Sequence, residues 1–175
     1  MKYIVLLLLL VMSGVPVLAD DAASKLDAVK AAYVFRISSF AVWPGNESSV
    51  SMNLCLAGTA IDGITQILQE KTTGRKIKGR DIAVHYLTHY DEQEVAQCDT
   101  LYLAAGASRS WFALPESLAN RLLIISDPNL SMEGISLIRL FIKGGNIVFA
   151  VDSEMLKRSQ VQLPASLLSL AQKDD

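Results

Sequence analysis

Few residues in this 175-residue chain are placed to do chemistry. Cys55 and Cys98 are its two cysteines, 43 positions apart, and no C-x-x-C occurs, which disfavours a thioredoxin-like redox site. His85 and His89 are its two histidines, with Asp91 and Glu92 nearby. Histidines four apart share a face on a helix, as zinc sites use, but 82–87 reads as a strand and spacing supplies no third ligand. The run Gly106-Ala107-Ser108-Arg109-Ser110 departs from the G-x-S-x-G elbow at its last residue. Both histidines also precede Ser108, against the hydrolase order, so Ser108 reads as a helix N-cap. The stretch from Gly58 to Gly63 sits between a strand and a helix, where a nucleotide would bind, yet it carries neither phosphate-loop fingerprint. No catalytic or metal constellation assembles, and no cofactor is implied. One charged feature remains: Lys71, Arg75, Lys76, Lys78 and Arg80 put five cations within ten positions. That local patch suits an anionic lipid or an acidic partner, against the default of a solvated loop.

The elements that position these residues begin after a leader. Lys2 is followed by an apolar run from Ile4 to Met12 with five consecutive Leu. Ser13, Gly14 and Pro16 break it, and Val17-Leu18-Ala19 offers small residues before Asp20-Asp21. This is the layout of a secretory signal peptide over 1–19, leaving one exported domain over 20–175. The apolar run is shorter than the roughly 20 residues a spanning helix needs. An oxidising destination favours a Cys55–Cys98 disulfide, with two buried thiols as the alternative. The hydrophobic fraction of 51% with 19% charged residues excludes disorder. A sequence pI near 5.7 argues against a nucleic-acid partner.

Leu26, Val29, Ala32/Tyr33, Arg36/Ile37 and Phe40 recur at helical spacing, which predicts a helix over 22–42 with one apolar stripe. Trp43-Pro44-Gly45 ends it. Strands are expected over 50–57, 82–87, 100–104, 121–126, 134–142 and 146–151. Helices are expected over 60–70, 91–96, from Ser108 through Leu118 with Pro115 splitting it, 153–158 and 165–172. The sequence 71–80 reads as a cationic turn. Strands alternating with helices predict a single α/β domain: a mostly parallel sheet of about six strands flanked by helices, with a C-terminal β-hairpin at Lys143-Gly144-Gly145.

The ordered set of short motifs resembles the YfiR family of periplasmic repressors of membrane diguanylate cyclases. The helix 30–40 ending in Trp43-Pro44, the strand Leu54-Cys55-Leu56 before Gly58, and the turn from Gly74 to Gly79 carry the resemblance. So do Gln97-Cys98-Asp99 before Leu101-Tyr102-Leu103, then Gly134-Ile135, the run from Gly145 to Phe149, and the run from Ser166 to Ala171. After Phe149 the family often has an acidic residue and then Asn, where Ala150 and Asp152 stand here. The resemblance implies no enzyme. It implies a periplasmic protein that holds the periplasmic sensor domain of an inner-membrane diguanylate cyclase inactive, lowering cyclic di-GMP and biofilm formation. An outer-membrane lipoprotein with a peptidoglycan-binding domain would sequester it, and relatives suggest a homodimer. It also implies that Cys55–Cys98 holds the binding-competent fold. Candidate partner contacts are Phe40 and Trp43, Lys76 and Lys78 in the basic turn, and Leu167 and Leu170 on the last helix. The alternative is a periplasmic small-ligand module, with its ligand in the crevice at the strand ends near Gly58 and Gly106.

Overall fold

The computed structural model describes residues 18–45, 49–59, 61–130 and 134–173, and of the leader read over 1–19 the residues 1–17 lie outside them. Helix α1 (Leu18–Phe40) leads into β1 (Ser51–Ala57), α2 (Asp62–Thr72), β2 (Lys76–Ile77) and β3 (Arg80–Leu87). Then come α3 (Glu92–Val95), β4 (Thr100–Leu103), a 3-10 turn (Arg109–Ala113), α4 (Glu116–Arg121) and β5 (Leu123–Ser126). The hairpin β6 (Ile138–Lys143) and β7 (Asn146–Val151) precedes α5 (Ser153–Arg158) and α6 (Ala165–Leu168). The result is a single α/β domain.

The sheet runs β2-β3-β1-β4-β5-β6-β7. Its five inner strands are parallel, with β2 and β7 antiparallel at the two ends. The order of those five is the doubly wound one that reverses between the first strand and the third in sequence, here β1 and β4. Alternation along each strand divides the interior in two. Met52, Leu54, Leu56, Tyr102, Leu123 and Ile125 face α1, α2 and the C-terminal segment. Cys55, Ala57, Leu101, Leu103 and Ile124 face α3, the 3-10 turn and α4. Burial on both sides explains why these strands read as continuous apolar runs.

The structure corrects four expectations. There are seven strands, the added one being β2, inside the segment read as a turn. Lys78 and Gly79 both have positive φ, 51° and 83°, the two-residue hairpin geometry that folds β2 onto β3. The last helix stops at Leu168, since the chain turns to bond β7 through Gln172 N–H and Phe149 O, 2.8 Å. Ser108 precedes the 3-10 turn without a side-chain cap; its hydroxyl meets that of Ser110 at 2.6 Å.

The fourth correction concerns α1. Its buried face is Ala31, Val34, Ile37 and Ser38, continued by Ala41, and the stripe read from the sequence divides: Ile37 is inside and Tyr33 half-buried, whereas Leu26, Val29 and Phe40 are left outside. Small residues face inward because the helix lies close against its neighbours. At Gly63 in α2 an added Cβ would collide with the Asp27 carboxylate. The polar members of that face have dedicated partners: Ser38 Oγ lies 2.9 Å from Thr100 Oγ1, and Lys30 Nζ lies 2.7 Å from Asp127 Oδ2.

Candidate protein-binding surface

An apolar side chain on a helix is either packed or presented, and α1 does both. With the small-residue stripe on the core, Leu26, Val29 and Phe40 point outward at 38%, 43% and 47% exposure. Ala32 and Arg36 are exposed on the same turns. These positions form one apolar line along the helix, broken by a single cation. Aromatic and large aliphatic groups in such a line are the composition of a protein interface.

Phe40 stands where the basic turn reaches α1. Lys78 Nζ donates to Ala41 O at 2.6 Å and to Phe40 O at 3.4 Å, so it satisfies carbonyls at the end of the helix, where a cation is favoured. Burial lowers the pKa of this amine. Lys76 pairs with Asp81 at 3.0 Å, both well exposed. Arg80 is buried and pairs with Asp99 at 2.7 Å. Three of the five cations are therefore tied to this domain, and Lys71 and Arg75 remain as exposed charge. The sequence brought Phe40, Lys76 and Lys78 to one end of the molecule, but two of them act as fasteners there.

Trp43 is buried rather than presented, and its indole N–H donates to Asp99 O at 3.2 Å. Its ring borders a cavity of about 240 Å³ with Pro44, Gly45, Arg121 and Gln160. Leu167 is also buried, because α6 turns that side chain into the core, whereas Leu170 is 62% exposed. Of the residues read as partner contacts, Phe40 and Leu170 stand out from the surface as large apolar groups.

Below the strand ends sits the strongest polar cluster. The Asp99 carboxylate accepts from Arg80 Nη2 and from the backbone N–H of Asn53 at 2.8 Å. Arg80 also donates to Ser51 O through Nε, 3.1 Å, and through Nη2. One position before Asp99, Cys98 is disulfide-bonded to Cys55, with Cα atoms 5.9 Å apart. Ion pair and disulfide thus fasten β1 to β3 and β4 from inside. Removing one partner of a buried ion pair costs roughly 3–5 kcal/mol, since the other charge is left desolvated. Sequence reasoning missed Asp99 and Arg80 as a pair; the only signal was an acid adjoining a cysteine.

The opposite ends of β1 and β4 form the switch point where a doubly wound fold takes a ligand. Here the two turns are bonded together. Thr59 N–H and Oγ1 both donate to Ala105 O, at 3.0 and 3.1 Å. A Cβ at Gly58, whose φ is +125°, would lie 2.9 Å from Ala104 O. A Cβ at Gly106 would collide with Thr59 Oγ1. The glycines serve close approach of two loops, and Gly58 and Gly106 do not frame an open crevice. Beside them Asp127 accepts from Tyr102 Oη at 2.6 Å as well as from Lys30. Burial, then that hydrogen bond, raises the Tyr102 pKa, and burial raises that of Asp27.

The sequence's chemical candidates stay apart. His85 on β3 bonds Asn53 Oδ1 at 3.2 Å, and His89 bonds Thr88 Oγ1 at 3.1 Å in the following turn. No group of three metal-ligating side chains occurs among the described residues.

The fold and surface define a disulfide-bonded, doubly wound α/β domain that presents an apolar helix face. A family model described as YfiR/HmsC-like matches residues 27–172, and the chain belongs to that family. The family is one of periplasmic, regulatory, non-catalytic proteins, and the disulfide accords with that compartment. No curated protein matches the chain.

Proposed function

We propose that this protein is a periplasmic repressor that binds the sensor domain of an inner-membrane diguanylate cyclase and holds the enzyme inactive. The family match over 27–172 carries the reading. The apolar line Leu26, Val29 and Phe40 supports it, since a regulator without chemistry of its own must act through contact. Repression is a population shift: the repressor binds the inactive cyclase more tightly than the active one, and the difference in affinity sets how far the equilibrium moves. An outer-membrane peptidoglycan-binding lipoprotein that sequesters the repressor would reverse the shift.

The test is capture of partners from solubilised envelope with the tagged protein, read by mass spectrometry. The expected result is recovery of a transmembrane diguanylate cyclase, lost when reductant opens Cys55–Cys98. Val29→Asp and Phe40→Asp should weaken capture at least roughly tenfold while the protein stays folded, because both side chains are exposed. Recovery of no membrane protein, from cells shown to express a cyclase, would overturn the proposal.

A further inference from the structure

A cleft of about 540 Å³ opens on the sheet face opposite α1, beside the disulfide. Cys55 on β1 and His85 on β3 are paired in register. Asn53 lies two residues before the first and Leu87 two residues after the second, so all four side chains point to this face. α3 lies over this end of the sheet but has only four residues. It buries Val95 and leaves Glu94, with Gln97 just beyond, as one wall of the cleft. The volume falls within the range of small-molecule sites.

The hydrogen bonds fix what the cleft offers. Asn53 Nδ2 donates to Gln97 O at 2.8 Å, which sets the amide and leaves Oδ1 facing His85 Nε2 at 3.2 Å. The imidazole therefore donates from Nε2, and in its neutral form Nδ1 keeps a lone pair. Gln97 Nε2 lies 3.4 Å from Gln93 O, which leaves its Oε1 as an acceptor. The Glu94 carboxylate is exposed and has no ion-pair or hydrogen-bond partner among the described residues. Asp91 and Glu92 add negative charge on the same turn, and no Lys or Arg lines the cleft. Its free polar groups are thus acceptors under a negative potential, and Cys55 and Leu87 give it an apolar floor. Such a lining matches charged N–H donors carried on a short methylene chain.

We infer that this cleft binds a small aliphatic amine as its ammonium cation, held by Glu94 and His85 with its methylenes on Leu87 and Cys55. The site lies on the other face of the sheet from Leu26, Val29 and Phe40, and it stands apart from the proposed partner.

Titration calorimetry of the purified protein with putrescine tests it, with the diol of the same length as the uncharged counterpart. The diamine should bind at one site per chain, and the diol should not bind. Glu94→Gln should weaken binding about tenfold and His85→Phe about threefold, the losses expected for a charged and a neutral hydrogen bond. Glu92→Gln, on α3 but outside the cleft, should change it less than about twofold. All three residues are exposed, so the circular dichroism spectrum should stay that of the wild type. A second measurement needs no variant: saturating putrescine should shift the imidazole nitrogen resonances of His85 and leave those of His89 in place. No binding of putrescine at millimolar concentration, equal binding of the diol, equal losses in Glu92→Gln and Glu94→Gln, or an unmoved His85 would overturn the inference.

Discussion

The two ends of the sheet are secured in opposite ways. On the β7 side two outward carbonyls are taken: Tyr33 Oη donates to Ile147 O at 2.7 Å, and Gln172 N–H donates to Phe149 O. The Tyr33 ring also meets Phe149 edge-on at 6.2 Å. That edge is sealed by α1 and the C-terminal segment, with no covalent fastening. On the β3 side the strands are pinned from within, by Cys55–Cys98 and by Arg80–Asp99, and the strand outside β3 is the two-residue β2. A bare edge slips or recruits unless its register is held. The internal fasteners sit where the outer strand is short, and packing by α1 and the C-terminal segment replaces them at β7.

Opening the disulfide should have the largest effect. Cys55→Ser with Cys98→Ser frees a 43-residue separation, which corresponds to about 4 kcal/mol of lost stability on the chain-entropy account. Denaturant unfolding reads it, and the loss should track the partner capture described above. A variant that kept wild-type stability and wild-type repression would remove the disulfide from the functional argument.

Tyr33→Phe is the counterpart on the sealed side. It keeps the ring and deletes the bond to Ile147 O, for about 1 kcal/mol. Because it uncovers the β7 edge, the variant should also show new concentration-dependent association, read by sedimentation. If the variant showed no new association, the contrast between the edges would fail.

Asp27→Asn should have the smallest effect, with a definite sign. Burial raises the pKa of this carboxyl from its ordinary 3.8, so the fold prefers it protonated. Its contribution to stability is full below pH 3.8 and is lost as pH rises through the raised value. The amide removes that loss. The variant should be more stable at neutral pH by on the order of a few tenths of a kcal/mol, with the gain gone in acid. Thermal melts across pH read the difference.

Much of this was legible in the residues. Strands β1, β4 and β5 were visible as apolar runs because both of their faces are buried. Pro115 split a helix as proline must, and Gly144-Gly145 closed the hairpin. The inward face of α1 was legible only in part. Leu26, Val29 and Phe40 outweigh Ala31, Val34 and Ala41 in apolar surface, so hydrophobic spacing found Ile37 but centred the stripe on residues that stay outside. A helix that packs closely against neighbours needs small side chains, and small side chains give a weak signal. β2 was hidden in the same way, because two residues carry no period and their turn is Lys-Gly rather than Asn-Gly.

By itself, then, the sequence determined what local patterning and composition can encode: an α/β domain of alternating elements, a C-terminal hairpin, and two cysteines suited to pair. The tertiary structure decided what depends on which surfaces meet. It put Trp43 and Leu167 inside and Leu26 and Val29 outside. It turned the cationic run into a helix cap and a buried ion pair, and it bonded Thr59 to Ala105 across the switch point. It also set the two-residue β2 outside β3 and packed Tyr33 against β7. Those outcomes follow from contacts between residues far apart in the chain, and no short window of sequence contains both partners.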